Sequence, residues 1–340
     1  MSRKEKTSVT IYDVARRAGV AISTVSRVLN DSPDVSDRTR SEVNQAIEEL
    51  RYHPSRTARS LAQQEYHSFA VAIPSFTSPF QNELLKGIRA FIREPGLDLL
   101  ICDLGSKNIE GSLRAFLDRG AVRGLLVCGF SISEGLAEDL MDIQSPTVLV
   151  GCVHPAFDSY SWDDEKGVQS GVAHLIDQGH RNICLIRSNL NSETQMQRIA
   201  GYQKALLAAG IPFDDSRVVS GKPSYHGGFS EEDGFDAMQT ILTTHPDTTA
   251  VMASSDVQAI GAMTALKANG LRVPDDVAIV GYDDIKTSRF IGLSSINQSM
   301  QEIGHSAART LHKRIKGELI GPAEHILIEP KLEIRASSSV

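Results

Sequence analysis

From Phe69 onward the chain alternates short apolar runs with amphipathic stretches, and this order constrains the fold more than any other feature of the sequence. The apolar runs are FAVAIP, LDLLICD, GLLVCG, PTVLVG, NICLIR, TTAVMAS and DVAIVGYDD. Such runs, separated by helical patterns, are typical of parallel strands buried on both faces under crossover helices. The sequence therefore predicts an α/β core with doubly wound parallel sheets. About 270 residues of this kind exceed what one sheet holds comfortably, so we expect two subdomains.

Three polar segments follow predicted strands directly. They are SFTSPF, ASSD and GYDDI. Ligands of open α/β sheets bind beyond the carboxyl ends of the strands. We therefore expect these segments to line one cleft that holds a small molecule.

The first fifty residues carry helical patterns only. Ile11, Val14, Ala15 and Ala18 recur at helical spacing, and Gly19 follows where a helix would end and turn. After this turn a second helix is expected. Residues 10–50 thus predict a helix, a tight turn, a second helix, a loop and a third helix.

The second predicted helix has two unlike faces. Val25, Val28 and Leu29 form the apolar face. The opposite face is short and largely polar, and it consists of Ile22, Ser23, Ser26 and Arg27. A helix-turn-helix places such a face in the major groove of DNA, with residues near the helix N-terminus against the base edges. The alternative for Ile22 is a place in the core of the head.

A third helix should complete this head. Ser36 can cap it, and Val43, Ile47 and Leu50 can close a small core. The following segment, residues 51–66, reads as a linker in which Pro54 permits a helix of about two turns. A helix of that length is unstable alone in water, so we expect it to fold only against a partner.

Charge, apolar runs and cysteine spacing mainly indicate which classes of protein are disfavoured. The net charge is -7, but residues 1–66 hold 11 Lys and Arg against 9 Asp and Glu, so the head is mildly basic. The sequence has no apolar run of membrane-spanning length, and the polar opening MSRKEKTSVT is unlike a signal peptide, so we expect a cytoplasmic protein. Cys102, Cys128, Cys152 and Cys184 lack C-x-x-C spacing, which favours buried, reduced thiols.

Several motifs in order resemble one family. TIYDVARRAGVAISTVSRVLND, YHPSRTARSLA, SPFQNELLKGI, RIAGY, SSDVQAIGAMTALKANGLRVPDDVAIVGYDD and IEPKLEIRASS are similar to segments of the lactose/galactose repressor (LacI/GalR) family. The resemblance covers nearly the whole chain. It implies an all-α helix-turn-helix head and a periplasmic-binding-protein-like pair of doubly wound subdomains.

The resemblance also implies the domain limits. We expect the head in residues 1–53, a hinge in 54–66 and the effector-binding core in 67–340. Within the core, the N-subdomain should comprise about 67–165 and 297–325, and the C-subdomain about 166–296 and 326–340.

Family positions that contact DNA are matched in the head and the hinge. They correspond here to Tyr12, Ile22, Ser23, Thr24, Ser26, Arg27, Asn30, Thr39, Ser55, Ala58 and Leu61. In the family, paired hinge helices enter the minor groove and the leucine, here Leu61, wedges between base pairs. Two positions depart from the common pattern. Ala21 replaces a frequent Ser and removes a helix cap, at a cost of about 1 kcal/mol, and Ser55 replaces a frequent Asn.

The resemblance implies an effector site in the cleft. Its candidates are Ser75, Phe80, Gln81, Thr194, Arg198, Phe229, Ser255 and Asp283. An arginine with an acceptor carboxylate can bind vicinal hydroxyls through paired hydrogen bonds, so Arg198 and Asp283 favour a sugar or a nucleobase. Gln81 stands where many relatives have an aromatic residue, which favours a hydroxyl-rich ligand over a flat purine. Asp283 with Asp284 as a metal site, or Arg198 with Asp283 as a structural ion pair, are the alternatives.

The predicted function is a ligand-responsive DNA-binding regulator, most simply a repressor, that acts as a homodimer on operator DNA without a cofactor, a metal or a membrane. The dimer follows from the lack of a leucine-heptad extension after IRASSSV. Two other classes are a sugar-metabolism enzyme and a sugar-binding receptor on the same architecture. The absence of G-x-G-x-x-G, Walker A and H-E-x-x-H motifs disfavours the enzyme, and the head disfavours the receptor. Trp162 has no assignment.

Overall fold

The computed structural model describes residues 9–29, 32, 34–50, 52, 68–93, 97–105, 107–118, 122–143, 145–222 and 229–339. The chain divides into two compact units, Met1–Tyr66 and His67–Val340, which are called the head and the core below. No helix within these described ranges is long and apolar enough to cross a membrane.

The head contains three helices in the predicted order. They are α1 (Ile11–Ala18), α2 (Ile22–Leu29) and α3 (Asp37–Leu50). Gly19 ends α1 with φ 69°, a left-handed conformation that glycine adopts without a steric penalty. Ser36 caps α3, because its hydroxyl accepts the Thr39 N–H at 3.3 Å. The head therefore has the predicted helix, tight turn and second helix, with the third helix packed on both.

The core begins with the N-subdomain. Its elements are β1 (Ser68–Ile73), α4 (Pro79–Ile92), β2 (Asp98–Asp103), α5 (Ile109–Leu117), β3 (Gly124–Cys128), α6 (Glu134–Asp142), β4 (Thr147–Val150) and β5 (Asp158–Trp162). The C-subdomain then contributes α7 (Asp164–Asp177), β6 (Ile183–Arg187), α8 (Glu193–Ala208), β7 (Val218–Ser220), α9 (Glu231–Thr244), β8 (Ala250–Ala253), α10 (Asp256–Ala268), β9 (Ala278–Asp283), α11 (Lys286–Phe290) and β10 (Ser294–Asn297). The last elements are α12 (Met300–Ile315), β11 (His325–Ile328) and β12 (Lys331–Glu333).

Two six-stranded sheets result. The N-subdomain sheet is wholly parallel, with the order β11-β5-β4-β3-β1-β2. The C-subdomain sheet has the order β12-β10-β9-β8-β6-β7, and its edge strand β12 runs antiparallel to β10. This pair of doubly wound sheets confirms the predicted fold class. One antiparallel edge strand is the departure from an all-parallel arrangement.

Each sheet is covered by helices on both faces. In β1, Phe69, Val71 and Ile73 face the cluster formed with α4 and α12, while Ala70 and Ala72 face α5 and α6. In the C-subdomain sheet, α7 and α8 cover one face, and α9 and α10 cover the other. Because side chains alternate along each strand, they pack into two separate apolar layers, one on each face of the sheet.

The last change of subdomain falls later than expected. Strand β11 pairs with β5 of the N-subdomain sheet, and β12 pairs with β10 of the C-subdomain sheet. The crossing thus lies after Ile328, and the expected limit between residues 325 and 326 falls inside β11. Three chain crossings, after β5, β10 and β11, connect the two subdomains.

Two glycines allow α4 and α12 to pack closely. A Cβ atom on Gly87 would collide with the carbonyl of Gln301, and one on Gly304 would collide with the carbonyl of Leu84. Helices α4 and α12 therefore meet backbone to backbone. This contact holds the middle of α4 against α12.

Candidate functional site

The outer face of α2 is exposed in the head. Ile22 is 41% exposed, and Ser23 and Arg27 are also exposed, whereas Val25 and Val28 are buried in the core of the head. The alternative that Ile22 packs in that core is therefore wrong. Tyr12, on the first turn of α1, is 62% exposed. Thr24 and Ser26 are half-buried at the edges of the same face.

Ala21 is the residue that precedes α2. The Thr24 and Val25 N–H groups donate to the Ala21 carbonyl at 2.9 and 3.2 Å, and Ala21 offers no side-chain oxygen. The Thr39 hydroxyl lies 2.9 Å from that of Ser36 in the first turn of α3. Asn30, Ser55, Ala58 and Leu61 lie outside the described residues. The DNA-contact roles of all these residues stay predictions.

In the core, the carboxyl ends of the two sheets face each other. Val257 and Ile285 of the C-subdomain belong to the same apolar cluster as Leu84 of α4. The Lys286 N–H donates across the junction to the Glu83 carboxylate at 3.4 Å. We call the region between the carboxyl ends of β1, β3, β4 and β5 and those of β6, β8, β9 and β10 the cleft.

Arg198, on α8, lies at the centre of a buried network on the C-subdomain side of the cleft. Its side chain is nearly inaccessible, with the residue 5% exposed. Its Nε and Nη2 groups donate to Asp164 Oδ1 at 2.9 and 2.8 Å, and its Nη1 group donates to the Ser254 carbonyl. The guanidinium also lies over the Tyr282 ring, 3.8 Å from the centroid, a cation–π contact.

The expected direct pairing of Arg198 with Asp283 is not what the structure contains. Arg198 forms an ion pair with Asp164 at the start of α7. Asp283 has no ion pair with Arg198, but it lies close enough for the charge of Arg198 to act on its pKa. Burial raises the pKa of Asp283 well above its usual value, the charge of Asp256 adds to this rise, and Arg198 opposes it. Asp283 also has φ 115°, a strained backbone conformation for a residue with a Cβ.

The two neighbouring carboxylates of Asp283 are held by protein groups. Asp256 accepts the Ser288 and Ser295 hydroxyls, each at 2.6 Å, and the Ile285 N–H at 2.9 Å. Asp284 forms ion pairs with Arg289 at 3.1 Å and Arg335 at 2.7 Å. Since both Asp284 oxygens face arginines, the pair Asp283 and Asp284 is not arranged as a metal site. Among the described residues no cluster of three metal-ligating side chains occurs.

The N-subdomain side of the cleft carries an aromatic pair. Phe80 and Trp162 meet edge to face with ring centroids 6.0 Å apart. Trp162 is the last residue of β5, and its Nε1 donates to the Gln298 carbonyl at 2.8 Å on the second chain crossing. Gln81 is buried in the first turn of α4 with its amide against Gly129, just beyond β3.

Four other predicted site residues have local roles or no special contact. The Ser75 hydroxyl lies 2.9 Å from that of Thr77. Ser255 caps α10, since its hydroxyl accepts the Gln258 N–H at 3.3 Å. Thr194 is half-buried in the first turn of α8, and Phe229 is half-buried just before α9. Their effector roles stay predictions.

Sequence reasoning missed two residues at the cleft, Asp164 and Trp162. Both follow the general rule that residues at the carboxyl end of a strand line the ligand site, because Trp162 ends β5 and Asp164 begins the next helix. The predicted strand runs did not include DSYSW, although its polar and aromatic residues alternate as in a strand. Recognition of this strand would have identified Trp162 and Asp164 as candidate residues of the cleft.

Several buried polar atoms near the cleft have no protein partner among the described residues. They are Gln81 Oε1, Gln195 Nε2, Ser254 Oγ and Gln298 Oε1. Buried polar groups in native proteins nearly always have a partner, which a bound molecule can supply. The arrangement is therefore suited to hold a polar ligand.

A helix-turn-helix head joined to a two-subdomain binding core defines a ligand-responsive DNA-binding protein, and comparison with known proteins identifies its family. Residues 10–55 match the bacterial regulatory proteins of the lacI family, and residues 172–338 match the periplasmic binding protein-like domain. The HTH-type transcriptional repressor PurR of Histophilus somni (strain 129Pt) is 33% identical over 340 residues, covering 96% of this chain and 98% of that protein.

Two solved structures are also similar over almost the whole chain. A complex of the transcriptional regulator CelR with cellobiose has a TM-score of 0.70 at 32% identity and covers 97% of this chain and 99% of that one. A lac repressor dimer bound to operator and the anti-inducer ONPF has a TM-score of 0.79 at 27% identity and covers 98% and 100%. The chain belongs to the LacI family. It is a transcription regulator and not an enzyme.

Proposed function

We propose that this regulator is a repressor that binds a pseudo-palindromic operator as a homodimer and is controlled by a sugar in the cleft. The DNA-binding part of this proposal rests on the outer face of α2. Ile22, Ser23 and Arg27 are exposed on this face, whereas the apolar face of the helix is buried in the core of the head. Ile22 can contact a thymine methyl, Ser23 can bond to several base edges, and Arg27 favours guanine or phosphate. We place this activity in the cytoplasm, where the DNA is.

The core offers a surface for the dimer. Leu100 and Ile101 on the edge strand β2 are 45% and 48% exposed, and Phe290 at the end of α11 is 80% exposed. Leu100 and Ile101 are adjacent exposed apolar residues on an edge strand, where a second chain can associate. The solved lac repressor is a dimer on its operator, and we propose the same state for this chain.

The proposed control works through the hinge, residues 54–66. A sugar between the subdomains would change their relative rotation and hence the spacing of two hinge segments in the dimer. That spacing permits or prevents the coupled folding of the hinge helices on DNA. A coupling free energy of about 1 to 3 kcal/mol gives roughly 5-fold to 150-fold control of operator affinity.

Selection of duplexes from a random pool, followed by binding titrations, tests the base-contact face. Ile22→Ala and Ser23→Ala should change the preferred base at one or two positions of each half-site and leave the remaining positions intact. Gln45→Ala, an exposed neutral change on α3, is the matched control and should leave both sequence and affinity unchanged. Selection of the same operator with the same affinity by all four proteins would remove the outer face of α2 from base recognition.

The hinge has a separate test. Leu61→Ala should weaken operator binding by at least about tenfold, because the wedge that kinks the DNA is lost, and should weaken binding to random DNA much less. Gln63→Ala serves as the neighbouring control. Equal losses on operator and random duplexes in the same salt would contradict a wedging role.

A further inference from the structure

We propose that Glu83, on α4 of the N-subdomain, is a positioning residue that transmits occupancy of the cleft to the N-subdomain through its hydrogen bond with the Lys286 N–H. The inference rests on the proposed function, because it assumes that an effector in the cleft controls operator affinity. Glu83 is outside the set of candidate effector residues. The inference therefore assigns part of the coupling to one bond between the subdomains rather than to a contact with the ligand.

Glu83 is a buried carboxylate on the N-subdomain side of that bond. The residue is 7% exposed. It accepts hydrogen bonds from Lys86 Nζ at 2.5 Å, from Gln301 Nε2 at 2.8 Å and from the Lys286 N–H at 3.4 Å. Although burial acts to raise the pKa of Glu83, these hydrogen bonds and the charge of Lys86 hold that pKa below its usual value. Glu83 is therefore ionised at neutral pH, and a charged acceptor forms stronger hydrogen bonds than a neutral one.

The segment Ile285–Lys286 is bound to both subdomains. The Ile285 N–H donates to Asp256 Oδ2 at 2.9 Å, and the next N–H along the chain, that of Lys286, donates to Glu83. Asp256 begins α10 of the C-subdomain, whereas Glu83 lies on α4. At 3.4 Å the bond to Glu83 is longer than the typical range of about 2.7 to 3.2 Å. A small change in the angle between the subdomains is therefore enough to tighten this bond or to break it.

The same segment is connected to the candidate effector residue Asp283. The Asp283 carboxyl group accepts the N–H of Asp256, and the Asp256 side chain in turn binds the Ile285 N–H. Asp283 and Asp284 have φ values of 115° and 51°, so the turn that leads from β9 into the segment is strained. A ligand that binds Asp283 therefore acts on the segment along two routes, the strained backbone and the Asp256 side chain.

On the N-subdomain side, Glu83 is joined to the close contact between α4 and α12. Gln301 binds Glu83 through its Nε2 group, and its carbonyl lies where a Cβ atom on Gly87 would be. A crossover helix runs back along the sheet between two parallel strands, so α4 leads from the cleft to the edge of the sheet at which β1 begins. The chain enters β1 directly after the hinge. A displacement of Glu83 therefore acts on a helix that ends at this edge.

Lys286→Pro removes the N–H of the bond and leaves Glu83 in place. Lys286 is the first residue of α11, a helix position that suits proline, and Ile285 has the extended conformation (φ -61°, ψ 157°) that a residue before proline needs. Lys286→Ala is the matched control, because it removes the exposed side chain and keeps the N–H. Glu83→Ala removes the acceptor instead, and Glu83→Gln keeps one acceptor oxygen for the Lys286 N–H.

Binding titrations on the purified full-length proteins measure affinity for the selected operator, alone and with cellobiose, ribose, glucose or trehalose, and calorimetry measures affinity for each sugar. In the wild type, a sugar that binds should change operator affinity by roughly 5-fold to 150-fold. In Lys286→Pro and Glu83→Ala that change should be at least about threefold smaller, while affinity for the sugar stays within about threefold of the wild type. Glu83→Gln should be intermediate, and Lys286→Ala should match the wild type.

Each outcome separates this inference from the proposed function. Full sugar control in Lys286→Pro or Glu83→Ala, or equal loss of control in Lys286→Ala, would overturn the inference and leave the proposed function intact. Loss of sugar binding together with control would show that the bond is merely structural, which also overturns it. If no sugar changed operator affinity in the wild type, the proposed sugar control would fail and the inference with it. Cooperative urea unfolding verifies that each variant is folded, and the two variants act on opposite ends of the bond, so one remains informative if the other misfolds.

Discussion

The carboxyl edges of the two core sheets have the same architecture and opposite chemistry. On the C-subdomain side, Arg198, Asp164 and Asp283 are buried charges joined by hydrogen bonds and close electrostatic contact. On the N-subdomain side, Phe80 and Trp162 present ring edges and a single indole N–H bond to the second chain crossing. Charged interactions stabilise the C-subdomain edge, and aromatic packing stabilises the N-subdomain edge.

This difference has consequences for how each edge tolerates change. A buried ion pair is costly to break, because removal of one partner leaves the other charged and desolvated. An aromatic contact loses only its own packing and hydrogen bond when it is trimmed. We therefore expect changes on the C-subdomain side to reduce stability and ligand response together, and changes on the N-subdomain side to reduce mainly the response.

The largest expected effect is that of Arg198→Ala. It leaves Asp164 buried without its cation, so the core should lose about 3 to 5 kcal/mol of unfolding free energy in a urea titration. The response of operator affinity to the effector should be lost as well. Arg272→Ala, at an exposed ion pair, is the control and should scarcely shift the midpoint. A stable Arg198→Ala protein that the effector still stabilises as it does the wild type would remove this residue from the site.

The second effect is a pH dependence with opposite signs on the two subdomains. Burial raises the pKa of Asp256 to about 7, against hydrogen bonds from Ser288, Ser295 and Ile285. The folded chain therefore holds a proton between about pH 4 and 7 that the unfolded chain has released, so this group's contribution to stability falls as pH rises through that window. Its slope can reach at most about 1.4 kcal/mol per pH unit.

Asp256→Asn should reduce the slope measured by urea unfolding at pH 5, 6 and 7, and Asp283, whose pKa burial also raises, should supply what remains. Asp158 of the N-subdomain provides the contrast. Although burial acts to raise its pKa, hydrogen bonds from Arg314 and Glu324 hold it below the usual value. The contribution of Asp158 is thus present at neutral pH and is lost as pH falls below its ordinary pKa. Parallel pH profiles for Asp256→Asn and Asp158→Asn would show that the two subdomains do not differ in this way.

The sequence predicts the local elements well and the partners of the charged groups poorly. Helix α1 covers Ile11 to Ala18, the range over which apolar residues recur at helical spacing. Periodicity is a property of one element, so a sequence pattern can report it. The choice of Asp164 over Asp283 as the partner of Arg198 depends on how α7 lies against α8, which no spacing along the chain encodes.

Edge strands explain the other differences. The run LDLLICD does form β2, but Leu100 and Ile101 are exposed because this strand is at the edge of its sheet. Strand β11, which the resemblance placed mostly in the C-subdomain, pairs in the N-subdomain sheet, and most of its residues are exposed because it is also an edge strand. The apolar pattern reports burial within a sheet, whereas the position of a strand at an edge depends on topology.

The smallest expected effect is on the aromatic side of the cleft. It tests whether the N-subdomain edge differs from the C-subdomain edge in its response to change. Trp162→Phe keeps a ring beside Phe80 but removes the N–H that binds the Gln298 carbonyl, so stability should fall by about 1 kcal/mol. Effector affinity should fall more than stability does, because the ring edge and the second crossing both move.

Tyr160→Phe is the matched control in the same strand. It also removes one hydrogen bond, the 2.8 Å contact with the Thr310 hydroxyl, but away from the carboxyl edge of the sheet. Both variants should lose similar stability, and only Trp162→Phe should weaken the effector in calorimetry. If Tyr160→Phe weakened it equally, the loss would come from general loosening of β5, and the aromatic edge would have no recognition role of its own.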